Sequence, residues 1–253
     1  MKSNPASLLN VYATPHINSQ TVCKAFAQGA DVPIVPAAPL LTGAVAMYGC
    51  LRGLEPTLRQ AQMEKRDWYY IDNGYIKPGH YNGYYRVTRN NYQIDGAGKS
   101  YGWRYARLGI NAKPWRVDGR HIVFCPPSEV WCGIIGLNRE AFIAETLDKV
   151  KNATRRKVIT RAKGSGRALA LDLQDAWCLV TYSSNAAVDA AIAGIPVICL
   201  GRCAASAISG TIDEIEAPPT PDRANWLGVL ADNQFTLDEM RNGTCWRHVR
   251  AVY

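Results

Sequence analysis

A chain of 253 residues that is 47% hydrophobic and 20% charged has the make-up of a folded globular protein, which excludes a disordered or low-complexity polypeptide. No run approaches the roughly 18 uninterrupted apolar residues of a membrane span, and the opening MKSNPASLLNVYATPH lacks the apolar core of a secretion signal, so a cytoplasmic protein is expected. The net charge of +8 favours an acidic partner such as nucleic acid, a nucleotide or an anionic polysaccharide, against the plainer alternative of a basic surface kept for solubility.

In chain order, an apolar start at Leu8 to Ala13 predicts a strand, TVCKAFAQGA a helix, VPIVPAA a second strand and LLTGAVAMYGCLRG a third. LEPTLRQAQMEKR predicts a helix leading into DWYYIDNGYI. This rhythm is that of β-α-β units on a parallel sheet. Residues 77 to 120 break it, being rich in Gly, Asn, Tyr, Trp and Arg without an apolar period, and are expected to be a long functional loop or an interdomain segment. HIVFCPPS then predicts a strand and turn, NREAFIAETLDKVKNAT an amphipathic helix and RKVITRAK a strand. RALALDLQDA leads to the strand WCLVTYSSN, the helix AAVDAAIAG and the strand IPVICLG. Two helix-like segments close the chain, with Thr236 placed to cap one of them because Glu239 lies three residues on. The fold class is therefore α/β, in two halves joined near residue 120, covering 1–120 and 121–253.

Chemistry concentrates where expected strands end. Ser183, Ser184 and Asn185 stand between a strand and a helix start, where unpartnered backbone N–H groups can hold a phosphate; helix capping is the alternative role. Asp189, about one turn on, either faces a ribose or balances charge at the helix front, and Gly194 before Pro196 fits a left-handed helix end. Arg161 and Lys163 follow VIT and point to the same edge, either completing a diphosphate site or forming an exposed basic turn before Gly164-Ser165-Gly166.

Asp72 in YYIDNGY stands at a strand end before a turn signal, as a general base or the anchor of an Asx turn, with Asp95 and Asp118 as other candidates for the base. Tyr84, Tyr85, Arg86 and Arg89 interleave rings and cations as acceptor-binding surfaces do, although a solvated strand explains them too. His16 is either a substrate contact or a structural histidine. Four histidines without ligand spacing and eight cysteines without a CxxC pair predict no metal site and reduced, structural thiols. GxGxxG, P-loop and GxSxG motifs are absent, which withdraws support from dinucleotide-dependent oxidoreductases, P-loop kinases and α/β-hydrolases.

The run SSNAAVDAAIAGIPVICLG resembles the donor half of GT-B glycosyltransferases, especially capsular polysaccharide transferases of the Kdo-adding type, and NWLGVLADNQFTLDEMRNGTCW resembles their C-terminal stretch. MYGCLRG, DWYYIDNGY and YYRVTRN resemble glycosyltransferase-like proteins of bacteriophages. The resemblance implies two Rossmann-like domains facing across a cleft, with the acceptor on the N-terminal one and a nucleotide sugar on the C-terminal one. Ser183, Ser184 and Asn185 would then meet the diphosphate, Arg161 and Lys163 would neutralise it, and Asp189 would stand where the family usually has Glu. It further implies a metal-independent transferase with no tightly bound cofactor and a UDP-sugar, foremost UDP-glucose, as co-substrate, with Asp72 as base. Net charge and the Tyr/Arg-rich segment favour 5-hydroxymethylated pyrimidines of phage DNA as acceptor, in a host cell's cytoplasm. A cell-surface polysaccharide acceptor and a non-catalytic nucleotide- or DNA-binding protein are the alternatives.

Overall fold

The computed structural model describes residues 8–36, 42–79, 81–164 and 166–252. In chain order the elements are β1 (Leu9–Ala13), α1 (Ile17–Ala30), β2 (Ile34–Pro36), β3 (Ala44–Tyr48), α2 (Glu55–Met63), β4 (Trp68–Asn73), β5 (Tyr85–Arg89), α3 (Trp103–Leu108), β6 (His121–Cys125), α4 (Glu129–Ile135), α5 (Arg139–Ala153), β7 (Lys157–Thr160), α6 (Leu169–Asp172), β8 (Ala176–Thr181), α7 (Ala186–Ile192), β9 (Val197–Cys199), α8 (Ala224–Asp232), β10 (Gln234–Phe235), α9 (Leu237–Arg241) and α10 (Thr244–Val252). Two 3₁₀ turns lie between β9 and α8. The strand expected over 32–38 ends at Pro36, and its last two residues lie outside the described ones, as does Ser165. No described helix is long and apolar enough to cross a membrane.

The chain forms two compact units, Met1–Gln93 with Asn233–Tyr253, and Ile94–Asp232. Where the sequence suggests a join near residue 120, the division falls between Gln93 and Ile94, and the end of the chain returns to the first unit. The reason is hydrogen bonding: Gln234 and Phe235 pair antiparallel with Arg86 and Tyr85. Residues 77 to 120 are also more ordered than expected, since β5 pairs antiparallel with β4 and α3 forms a short helix.

In the first unit the sheet order is β10-β5-β4-β3-β1-β2, with β2, β1, β3 and β4 parallel. α1 begins four residues before the expected helix because His16 caps it, its Nδ1 accepting from the Asn18 N–H at 3.3 Å. Its buried Ser19, Val22, Cys23, Phe26 and Ala27 recur at helical spacing and form one stripe toward the core. There Phe26 belongs to one buried cluster with Val11, Ile71, Val87, Phe235 and Met240. Thr236 caps α9 as expected, with both bonds of the Thr236–Glu239 capping box formed.

In the second unit the sheet order is β7-β6-β8-β9, parallel throughout, over a core of Ile122, Phe124, Val150, Cys178, Val180, Ile198 and Ile215. Gly194 follows α7 at φ 83°, the left-handed helix end expected for it, and its close approach to the Pro114 carbonyl adds a second reason for glycine. All eight cysteines are free thiols. In both units the strand order reverses beside the first strand, at β1/β3 and at β6/β8, which is where parallel sheets open a crevice at their carboxyl ends.

Gly29 allows α1 to pack closely on α9, since an added Cβ would lie 1.8 Å from the Met240 carbonyl oxygen. Gly29→Ala is expected to destabilise the protein by about 2–3 kcal/mol through overpacking, read as a lower midpoint in urea unfolding.

Candidate functional site

At the carboxyl edge of the second sheet, the turns after β6 and β8 are tied together by one side chain. Thr181, wholly buried, donates from Oγ1 to the Cys125 carbonyl at 2.7 Å and accepts the Ser184 N–H at 3.3 Å. Ser184 continues the chain of bonds: its Oγ accepts the Ala186 N–H at 3.2 Å and its carbonyl accepts the Ala187 N–H at 3.1 Å. The Asn185 carbonyl accepts the Val188 N–H at 2.9 Å. The structure thus gives Ser184 the capping role, because the first N–H groups of the seven-residue α7 already have protein acceptors. Ser183 and Asn185 flank that turn and are half-buried. Tyr182 completes it, edge-on to Phe142 at 5.4 Å, with Gly201 packed so closely on its ring that a Cβ would sit 2.6 Å from it.

The expected cations divide. Arg161 is engaged within its own loop: its guanidinium pairs with the buried Asp172 and donates to the Arg167 carbonyl at 2.6 Å. Arg167 joins the same carboxylate at 2.8 Å, so Asp172 clamps the loop after β7 with two cations. The reason is local, since a buried carboxylate needs a partner and Arg161 is within reach. Lys163 stands exposed beside Gly164. Arg202, after β9, pairs with Asp95 at 3.1 Å.

Asp189 is not brought to this edge. One turn along α7, it lines a groove of about 520 Å³ with Lys113, Arg116, Leu173 and Ile195, residues that precede β6, β8 and β9 and so mark the amino ends of the strands. Burial of the carboxyl group pushes its pKa above the ordinary carboxylate value. That position explains why a ribose role does not emerge from the geometry.

In the first unit, β4 and β5 bring Asp72 and Arg86 face to face. Arg86 Nη2 meets Asp72 Oδ2 at 2.7 Å, its Nη1 donates to the Asn73 carbonyl at 2.9 Å, and the guanidinium lies 5.2 Å from the Tyr75 ring. Asp72 Oδ1 accepts the N–H of the next residue, Asn73, at 2.8 Å, while the side chain stays 33% exposed and so remains within reach of a ligand. Tyr48 donates to Asn73 Oδ1 at 3.2 Å; desolvation, with the Asp72 charge added, pushes its phenol up to about 12, so it is a proton-bearing donor at neutral pH.

His16 lies at the same carboxyl edge, where its Nδ1 serves as the helix cap. Tyr81, which sequence reasoning passed over, reaches the same helix start through a 3.0 Å bond to Asn18 Oδ1. Tyr84 is half-buried, and its carbonyl accepts the N–H groups of Gly74 and Gly79. Tyr85 and Arg89 take structural places instead: Tyr85 is buried edge-on to Tyr48, and Arg89 pairs with Asp67 at the far end of β5. Antiparallel pairing sets the start of β5, with Arg86, at the carboxyl edge beside Asp72 and its end, with Arg89, at the amino edge beside Asp67. Asp95 and Asp118 belong to the second unit, the former paired with Arg202 and the latter exposed. Among the described residues, no group of three or more His, Cys, Asp or Glu side chains gathers to hold a metal ion.

No protein-family model matches the chain, and no curated protein sequence does. Solved structures do. The Thermosulfurimonas dismutans KpsC β-Kdo 2,7 transferase superposes with a TM-score of 0.52 at 13% identity, over 97% of this chain and 99% of that one. The β-Kdo 2,4 transferase of KpsC from the same organism gives 0.53 at 12% identity, over 88% and 89%. The chain is therefore similar in fold to these two transferases.

Thr181→Val keeps the shape and removes both hydroxyl bonds; it is expected to lower stability by about 1–3 kcal/mol in denaturant unfolding, with Thr181→Ser recovering most of it. Because the Asp189 pKa is raised on folding, its ionised form opposes folding above the unfolded-state value. Asp189→Asn should therefore stabilise the protein at neutral pH, with the difference vanishing below the unfolded pKa, as read by thermal unfolding across pH.

Proposed function

We propose that this chain is a nucleotide-sugar-dependent glycosyltransferase that acts on a glycan acceptor, with the donor on the second unit and the acceptor on the first. The observation that carries the reading is the second unit's parallel sheet, whose order reverses at β6/β8 beneath the Thr181–Asn185 turn, in a fold similar to that of Kdo transferases. A glycan acceptor is the reading that those neighbours favour, since both are named as Kdo transferases. A second reading, sugar transfer to 5-hydroxymethylated pyrimidines in DNA, draws on the net charge of +8.

In the proposed reaction Asp72 takes the proton of the acceptor hydroxyl. The hydroxyl oxygen bonds to the anomeric carbon as the sugar–phosphate bond breaks, and the electron pair leaves on the nucleotide. Arg86 holds Asp72 in place, and Tyr48 presents a hydrogen-bond donor beside it. Lys163 and the Ser183–Asn185 turn face the departing phosphate, and Arg161 contributes through the loop that it anchors to Asp172. The donor is a UDP-sugar or another nucleotide-activated sugar.

The test is mass analysis of acceptors after incubation with UDP-glucose, other UDP-sugars and activated Kdo, offered Kdo-containing oligosaccharides and 5-hydroxymethylated DNA. A sugar-sized gain on the oligosaccharide is expected. Asp72→Asn should lower the rate at least about 100-fold while leaving thermal stability and donor binding close to wild type. A gain on DNA alone would replace the acceptor, undiminished transfer by Asp72→Asn would remove Asp72 as base, and donor binding without turnover would mean a non-catalytic protein.

A further inference from the structure

Between Gly96 and Val117 the chain carries Lys99, Arg104, Arg107, Lys113 and Arg116 and no acidic residue. Part of this cationic segment is held firmly to the second unit. Asp232, only 3% exposed, accepts the Ser100 hydroxyl and the Tyr101 N–H through one carboxylate oxygen, each at 2.8 Å. Asn225 on α8 bonds Gly98 and Ser100, and Gly228 leaves room for Ser100, whose Oγ would lie 2.2 Å from an added Cβ. The buried Arg104 fastens α3 by donating from Nε to the Ala231 carbonyl at 3.0 Å.

This anchoring displays two rings to solvent. Tyr101 is 73% exposed and Trp103 51%. Arg107 lies 4.9 Å from the Trp103 ring centroid on the outer side of α3, where the residue is exposed. Folding explains Arg104 and Leu108, which α3 turns inward, but it gains little from two large aromatic surfaces left in water. A rigid ring beside a cation offers two complementary contacts: an apolar face for the C–H side of a pyranose, and a guanidinium for a carboxylate.

We propose that Tyr101, Trp103 and Arg107, with Lys99, form an accessory surface that binds an acidic polysaccharide chain. This assignment rests on the glycan-acceptor reading for its occupant, and charge complementarity in an acid-free segment selects an acidic glycan over a neutral one. The surface would hold a long acceptor while leaving short acceptors unaffected.

The experiment measures binding of the full chain to polygalacturonate, neutral dextran and a single-stranded oligonucleotide over a range of salt, together with transfer to short and long acceptors. Wild type is expected to prefer polygalacturonate. Trp103→Ala should weaken that binding about tenfold, Trp103→Phe should retain most of it, and Arg107→Gln should weaken it and flatten its salt dependence. Thermal stability of each variant confirms folding, and transfer to a short acceptor should be unchanged. Equal polygalacturonate binding by wild type and variants overturns the proposal, as does a loss seen only with the oligonucleotide, which would assign the surface to nucleic acid. Polygalacturonate binding that is lost in the variants, in a protein that transfers no sugar, upholds the surface and removes the enzymatic reading; transfer that proceeds with all variants binding normally does the reverse.

Discussion

The candidate donor site depends on a single buried hydroxyl. Thr181 ends β8 at the point where the strand order turns back, and its Oγ1 joins the last carbonyl of β6 to the first turn leading into α7. The central strands supply the rigidity, because Ile122, Phe124, Cys178 and Val180 are all fully buried and parallel pairing fixes their register. A turn mounted on such strands has little freedom. Ser184 then satisfies the helix start from within, so a ligand meets a turn that is already formed.

The same economy of partners governs the charged groups. Asp172 engages Arg161 and Arg167, Asp67 engages Arg89, and Asp95 engages Arg202, which converts several cations of a basic chain into structural ties. Asp67 registers its tie as a pKa held below the ordinary value, chiefly through the Arg89 hydrogen bond. Asp72 differs because it is tied by Arg86 and yet a third exposed, beside a tyrosine that keeps its proton. Geometry of that kind suits a carboxylate that must hold one orientation while another molecule approaches.

Much of the fold was legible because parallel strands advertise themselves as short apolar runs between helical segments: β1, β3, β4 and β6 through β9 all lie where those runs predict. Thr236 was legible for a different reason, since capping is a local interaction that sequence spacing encodes directly. Pairings distant in sequence were not legible. The return of Gln234 and Phe235 to β5 joins residues about 150 apart, and no local pattern announces it. The site divides along the same line. Strand-end positions such as Asp72 and Ser183 followed from periodicity, whereas the partner of Arg161, the edge to which Arg89 is sent and the groove that receives Asp189 depend on antiparallel pairing and helix orientation. Thr181 itself gave a faint signal, as a hydroxyl residue closing an otherwise apolar strand.

Hydrogen–deuterium exchange of the full chain, with and without a saturating nucleotide sugar, tests most directly where the donor sits. Slowed exchange is expected at Ser128 and at residues 182–185 and 200–203, in the turns that follow β6, β8 and β9. Slowed exchange confined to the first unit, or to the groove around Asp189, would contradict a donor site at the carboxyl edge of the second sheet.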